Sequence, residues 1–342
     1  MSKNSSIAIV AGVAIAVAII ASVMAFSGVS DNSMPMDTPE VDQTNLVSQE
    51  EKLTVLTSFY PYHEFTKNVA GDFAEVKQFM PSGVEAHDWE PRAQEIQSLN
   101  DADVFVYNGL GMESYIENII ESGEFDNVLF VKASEGVELL KFEDDHDDHA
   151  KHDDHDDHDD HDDHDDHAGH EGHNHGEFDA HIWLDPSNAK EMVHEIAHEL
   201  GDLDPANKDK YEANAEATII ALDQLIKDVS KDINKDAKFV VFHDAYQYFE
   251  ERFGVRAAGA LTLNTDVLPG AKQIDEIQDV IKDRGINCIF SEPQFNPKII
   301  STIAEDMNIK TGIFDPLGAN INSDKDLYFK LISNLGNELK GC

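Results

Sequence analysis

The stretch HEIAHELGDLD, from His194 to Asp204, places two histidines four residues apart with a glutamate between them. On a helix, this spacing gives the zinc-and-base core of a metalloprotease. The flanking pattern offers a structural explanation, because the apolar residues between Ala189 and Leu200 form one helical stripe and the histidines fall on another face. Gly201 is typical of a helix stop and Asp204 of an N-cap. We therefore predict an exposed helix face, with an adventitious surface zinc as the alternative, and no protease site.

A second set of residues comes from distant parts of the chain. His87 and Asp315 follow strand-like runs, His243 directly follows another and is expected to open a helix, and His181 precedes a capped helix. In parallel α/β sheets, ligands bind beyond the carboxyl ends of strands, so we expect the four side chains to converge in one cleft. Three imidazoles and one carboxylate suit tetrahedral zinc, whereas a site rich in oxygen ligands would suit Mn²⁺ or Mg²⁺ better.

An acidic insert at residues 143–177 carries 11 of the 17 histidines of the chain. These are His146, His149, His152, His155, His158, His161, His164, His167, His170, His173 and His175. The scarcity of apolar residues and the charge repulsion predict disorder, and the density of imidazoles predicts auxiliary metal capture. A solvated acidic spacer is the alternative. His175 lies six residues before His181, so the insert is tethered beside the predicted cleft site.

The remaining sequence alternates short β-rich runs with amphipathic segments, which predicts an α/β fold with mainly parallel sheets. We expect a first α/β lobe at residues 51–203, which contains the insert, a connecting helix at 204–236 and a second α/β lobe at 237–342. A helix of about 30 residues would be a strut roughly 45 Å long. No glycine-rich nucleotide motif and no GxSxG motif is present, so nucleotide binding and hydrolase chemistry lack support.

The N-terminal 1–50 segment predicts a location outside the cytoplasm. Ile7–Phe26 contains no charged residue and is long enough to span a bilayer as one anchor helix. Val23-Met24-Ala25 also fits a signal-peptidase site, which leaves cleavage as the alternative. A polar tether follows. The formal net charge of −43 argues against nucleic acid as a partner, because phosphates need cationic contacts.

Two cysteines, Cys288 and Cys342, are present. An even number in an exported protein suggests one disulfide, and the alternative is a buried Cys288 with a free, exposed Cys342.

Several long stretches together resemble one family. They are SFYPYHEFTKNVAGD, MPSGVEAHDWEPRAQEIQSLNDADVFVYNG, AHIWLDPSNAK, LDPANKDKYEANA, VVFHDAYQYFEERFG, IFSEPQFNPK and FDPLGANI. In this order, from about residue 53 to the end, they resemble the zinc-binding, ZnuA-like solute-binding proteins of ABC importers. The resemblance implies two α/β lobes, a rigid connecting helix, one metal site between the lobes and no catalysis.

The resemblance also implies a ligand set and partners. The metal positions of the family fall on His87, His181 and His243, with Asp315 as the expected fourth ligand and Glu85 or water as alternatives. A histidine at position 243 resembles the zinc branch, and manganese import is the runner-up function. The chain would be a monomer that delivers Zn²⁺ to an ABC permease with its cytoplasmic ATPase. Two other classes of function are alternatives: a zinc hydrolase, and a surface metal store built on the insert alone.

Related proteins can carry a cysteine pair in the regions of Cys288 and Cys342, and the resemblance therefore favours the disulfide between them.

Overall fold

The structure, a computed structural model, describes residues 52–87, 89–141, 177–262, 269–321 and 325–342. The predicted anchor Ile7–Phe26 and the eleven histidines of the insert lie outside these ranges. Within the described ranges, none of the helices has the length and apolar character needed to span a membrane.

The first lobe is built on a four-stranded parallel sheet with the order β2-β1-β3-β4. Its strands are β1 (Leu53–Thr57), β2 (Ala74–Gln78), β3 (Val104–Tyr107) and β4 (Leu129–Lys132). Its helices are α1 (Tyr60–Ala70), α2 (Ala93–Ser98), extended by a 3-10 turn at Leu99–Asp101, and α3 (Ser114–Ser122). The central strands β1 and β3 have apolar residues that are fully buried, as expected for a sheet covered on both faces.

A second 3-10 turn, Ile182–Leu184, is followed by two helices that pack against one another. They are α4 (Pro186–Leu203) and α5 (Lys208–Asp232). Asp185 caps α4 as predicted, because its carboxylate accepts a hydrogen bond from the Ser187 backbone N–H at 2.7 Å. The connecting helix is shorter than the predicted 204–236. Asp204 does not cap α5: its Oδ2 accepts hydrogen bonds from Asn207 Nδ2 and the Tyr211 hydroxyl, which hold a turn before the helix begins.

The second lobe repeats the topology of the first, with the strand order β6-β5-β7-β8 and parallel pairing throughout. Its strands are β5 (Phe239–His243), β6 (Ala260–Thr262), β7 (Cys288–Ser291) and β8 (Lys310–Ile313). Its helices are α6 (Gln247–Phe253), α7 (Ala271–Arg284), α8 (Lys298–Met307) and α9 (Leu327–Leu339). The predicted α/β class with parallel sheets is confirmed. In each sheet the chain reverses its direction of travel between the first and third strands, where ligands bind in such folds.

One hydrophobic core runs through both lobes. Val55 of β1, Leu222 of α5, Phe290 of β7 and Leu331 of α9 belong to the same cluster of buried, contacting residues. Helix α5 contacts α1 and α4 on one side and α9 on the other. A large apolar interface of this kind opposes rotation of one lobe against the other, because rotation would expose the shared core to water.

The structure joins Cys288 and Cys342 in a disulfide that ties the chain end to the buried strand β7, with a Cα–Cα distance of 5.7 Å. The bond closes a loop of 54 residues. Helix α9 lies within this loop and buries Leu331, Ile332, Leu335 and Leu339.

Removing the disulfide should destabilise the second lobe without touching the metal site. In the chain-entropy model, a loop of this length contributes about 4 kcal/mol, which is an upper value because residual structure in the unfolded chain reduces it. Urea unfolding of Cys342→Ser protein should therefore show a lower midpoint than the oxidised parent, while zinc affinity stays within twofold. Identical midpoints for the variant and the parent would contradict the prediction.

Candidate metal centre

Three histidines from separate parts of the chain meet in the cleft between the two sheets. The Nε2 atoms of His87 and His181 lie 3.2 Å apart, and the ring centroids of His181 and His243 lie 4.9 Å apart. One nitrogen from each of the three rings can be chosen so that all lie within 4.8 Å of one another. Nitrogens about 2.0–2.1 Å from a common zinc ion would be separated by less than this, so the cluster is close to the geometry of a three-histidine metal site.

Each histidine is placed by a different local structure. His243 is the last residue of the buried strand β5, and His181 precedes the Ile182–Leu184 turn. His87 lies in the turns and bends between β2 and α2, where its backbone N–H donates to Glu85 Oε2 at 2.8 Å. His181 and His243 are 3% and 4% exposed, whereas His87 is half-buried. Two of the imidazoles are therefore enclosed, and the third lies nearer the solvent.

Two buried carboxylates orient the enclosed imidazoles. Asp179 Oδ1 lies 2.7 Å from His181 Nδ1 and also accepts the His181 backbone N–H at 2.9 Å. Both carboxylate oxygens of Glu292 lie 3.3 Å from His243 Nδ1. Because Nδ1 of each ring faces a carboxylate, Nε2 is left as the nitrogen that can bind a metal, and the carboxylate makes that nitrogen a better donor.

The charges in this region favour a bound cation. Burial raises the pKa of Asp179 to about 7, although the hydrogen bond from the His181 backbone acts in the opposite direction. Burial also lowers the pKa of His243, but the charge and hydrogen bond of Glu292 outweigh it and leave that pKa above the ordinary value. A cation bound at the imidazoles would supply positive charge beside these two carboxylates.

Asp315, the fourth predicted ligand, does not belong to the group of three imidazoles that lie within metal-binding distance of one another. Its carboxylate is engaged in the turn that follows β8. Oδ1 accepts hydrogen bonds from Gln294 Nε2 and from the backbone N–H groups of Leu317 and Gly318, and Oδ2 accepts from the Asn320 N–H. The residues that line the pocket beside the imidazoles include Glu85, Met112, Trp183, Glu292, Phe295 and Leu317.

The two histidines of the HEIAH segment lie on the exposed side of α4. Met192, Val193, Ile196 and Ala197 are buried, whereas His194 and His198 are exposed, as the apolar stripe predicts. Glu195, His198 and Glu199 could bring ligand atoms within 4.8 Å of one another, but they belong to a single surface helix. His194 and His198 thus do not belong to the cluster formed by His87, His181 and His243.

Sequence reasoning missed the two carboxylates that support the imidazoles. Asp179 stands two residues before His181 in the sequence DAH, and Glu292 directly follows β7 in the sequence SEP. The role of Glu292 could have been predicted from the sequence. A carboxylate at the end of the strand adjacent to β5 is expected at the same edge of the sheet as His243. The contact of Asp179 with His181 depends on the local turn, which the sequence pattern did not specify.

Removing the charge of Glu292 should weaken metal binding while the three imidazoles remain in place. Outer-shell partners of metal-binding histidines typically contribute about 10–100-fold to affinity, so Glu292→Gln should raise the Kd for Zn²⁺ or Co²⁺ by about that factor. Competition with a chromophoric chelator measures the change. Glu195→Gln on α4 is the matched control and should have no effect. An unchanged Kd for Glu292→Gln would show that the carboxylate does not support the ligand.

Comparison with known proteins identifies the family to which the chain belongs. The family model "ZnuA: Zinc-uptake complex component A periplasmic" matches residues 55–342. The high-affinity zinc uptake system protein ZnuA of Brucella abortus is 40% identical over 307 residues, which cover 85% of this chain and 92% of that protein.

Solved structures agree with the fold. The crystal structure of the Streptococcus pneumoniae AdcAII protein has a TM-score of 0.70 and 26% identity over 86% of this chain and 100% of that one. The solute-binding protein FpvC of Pseudomonas aeruginosa in complex with Mn²⁺ has a TM-score of 0.67 and 25% identity, over 85% and 99%. The resemblance identified from the sequence is confirmed. The chain belongs to the ZnuA family of solute-binding proteins, which are extracytoplasmic binding components of transport systems and not enzymes.

Proposed function

We propose that this protein captures Zn²⁺ at Nε2 of His87, His181 and His243 and delivers it to an ABC permease that works with a cytoplasmic ATPase. The observation that carries the proposal is the convergence of three imidazoles at the ends of two sheets, with buried carboxylates behind two of them. The zinc uptake function in the name of the Brucella relative supports it.

The donor set supports zinc as the cargo. Three imidazole nitrogens suit Zn²⁺, whereas Mn²⁺ is favoured by sites richer in carboxylate and water oxygens. Manganese import remains the second candidate, because a structural relative of similar fold binds Mn²⁺. A fourth ligand with an oxygen atom would not remove the preference, since structural and transport zinc sites accept one carboxylate.

Asp315 stays our prediction for the fourth ligand, with Glu85 and a water molecule as alternatives. To reach the metal, the Asp315 carboxylate would have to exchange part of the hydrogen bonding that it receives from Leu317, Gly318 and Asn320. Glu85 lines the pocket and already accepts the His87 N–H, so it could approach by a local change of the same loop. The Kd values of Asp315→Asn and Glu85→Gln would distinguish the two carboxylates.

The histidine-rich insert is proposed as an auxiliary zinc-capture segment. The residues that flank the insert lie beside the cleft site. Lys141 and Phe178 form an antiparallel bridge, and Asp179, the partner of His181, follows Phe178 directly. A set of weak ligands tethered at this point has a high effective concentration near the cleft.

We also propose that residues 1–50 anchor the protein to the membrane or act as a signal segment, and that the globular part is a monomer.

The tight zinc site should persist without the insert. A variant that lacks residues 144–175 should bind one zinc ion per chain tightly in calorimetry, because the three cleft histidines remain. His243→Ala in this background should raise the Kd by at least about 100-fold, since it removes a direct ligand and leaves Glu292 buried without its partner. His194→Ala, on the exposed face of α4, is the control and should leave the Kd unchanged. Equal losses in the two variants would falsify the assignment.

The insert should add weaker sites that depend on pH. The complete protein should bind several more zinc ions than the deletion variant at pH 7.5, because eleven imidazoles provide alternative ligand sets. Imidazoles must be neutral to bind metal, so these additional ions should dissociate as the pH falls through about 6.5, the ordinary pKa of histidine. Metal analysis after dialysis at several pH values tests this. The same zinc content with and without residues 144–175 would rule out metal capture by the insert.

A further inference from the structure

Helix α6 of the second lobe holds the segment Asp179–Asp185, which carries His181 and precedes the first-lobe helix α4. At its start, the Tyr248 hydroxyl donates a hydrogen bond to the Asp179 backbone carbonyl at 3.1 Å. The same hydroxyl accepts a hydrogen bond from the Leu140 N–H at 2.9 Å. Tyr248 is 2% exposed, so these bonds are shielded from water. One side chain of the second lobe thus fixes the backbone of the residue whose carboxylate orients His181.

A bidentate ion pair holds the other end of the segment. Arg252 Nε and Nη2 of α6 lie 2.6 and 2.7 Å from Oδ1 and Oδ2 of Asp185. The Asp185 side chain is 9% exposed and also caps α4 through the Ser187 N–H. Two parallel charge-assisted bonds fix orientation as well as distance. The ion pair thereby fixes the position of Asp185 relative to α6, and Asp185 also begins α4, which packs on α1.

The middle of the segment is attached to the second lobe as well. Trp183 Nε1 donates to the Pro316 carbonyl at 2.8 Å, and the Trp183 carbonyl accepts the Tyr328 hydroxyl of α9 at 2.6 Å. Both side chains are almost completely buried. The segment therefore has hydrogen bonds to the second lobe at its start, middle and end, although the chain continues from it into α4.

His87 is supported differently. Its neighbour Trp89 packs edge-on against Phe79 and Tyr115 of the first lobe, with centroid distances of 5.6 and 5.2 Å. The described residues between β2 and α2 form turns and bends rather than a helix or strand. His87 is also the most exposed of the three imidazoles. Of the three imidazoles, His87 is thus the one that lies in turns and bends nearest the solvent, although the adjacent Ala86 is buried in the shared core.

We propose that Tyr248 and Arg252 are positioning residues that attach the His181 segment to the second lobe, so that His181 and His243 form a preassembled pair and His87 completes the site when metal binds. Helix α6 begins four residues after His243, and the same helix therefore controls the spacing of both members of the pair. This inference rests on the proposed metal site and specifies the order in which its ligands assemble. The cation first meets two fixed imidazoles and is then enclosed by the third.

Hydrogen–deuterium exchange on the complete protein tests the order of assembly. The amides of residues 179–185 should be equally protected with and without one equivalent of Zn²⁺, because α6 already holds them. The amides of residues 81–92 should gain at least about tenfold protection when zinc is added. Protection that increases equally in both segments, or in neither while zinc is tightly bound, would overturn the proposal.

Variants separate the positioning role from a general loss of stability. Tyr248→Phe should reduce the protection of residues 179–185 in the zinc-free protein and raise the zinc Kd about tenfold, in the range of outer-shell partners. Tyr211→Phe is the matched control: it also removes a buried tyrosine hydroxyl, which bonds Asp204 far from the site, and should change neither quantity. Arg252→Gln should act as Tyr248→Phe does.

The outcomes distinguish this inference from the proposed function. If Tyr248→Phe and Arg252→Gln alter the zinc Kd no more than Tyr211→Phe, while His243→Ala still abolishes tight binding, the positioning role is wrong and the zinc site stands. If the parent protein binds no zinc tightly, the proposed function and the inference both fail.

Discussion

The pairing of buried carboxylates with buried imidazoles is the constraint that organises the cleft. Asp179 is fully buried and Glu292 is 3% exposed, so each needs a partner that offsets its loss of hydration. His181 and His243 supply that partner through Nδ1, and the pairing in turn directs Nε2 toward the centre of the cleft. The carboxylates determine where the imidazoles point, and the imidazoles offset the hydration that the carboxylates lose on burial.

The surrounding fold can hold these pairs because its two sheets share a core. His243 ends β5 and Glu292 follows the adjacent strand β7, at the point where the strand order of the second sheet reverses. The first lobe supplies His87 from the turns and bends that follow β2. Since α5 and the residues around it pack against both lobes in one hydrophobic cluster, the distance between the sheet edges is set by core packing. The positions of the three imidazoles therefore depend on the packing of a core that reaches their pocket at Ala86 and Trp183.

Much of this arrangement could be predicted from the sequence. Periodicity identified the alternation of strands and helices, and the positions of His87, His181 and His243 after strands or before a capped helix predicted that they meet. The start of α5 could not be predicted locally, because Asp204 prefers the hydroxyl of Tyr211, a partner one helical turn into α5, to the capping position. The environment of Asp315 was equally hidden, because the hydrogen bonds to its carboxylate come from a turn whose conformation is set by the packing of Leu317.

A binding protein for transport must release its cargo, and the division of ligands between two lobes suggests how. Burial raises the pKa of the Asp179 carboxyl, which favours a positive charge or a proton beside it. The shared core opposes separation of the lobes, and His87 itself stands outside that core, in turns and bends nearer the solvent. Movement of these turns alone would reduce three imidazole ligands to two, and each lost ligand lowers zinc affinity steeply. In the proposed site, release by this route would leave intact the contacts between α6 and the Asp179–Asp185 segment.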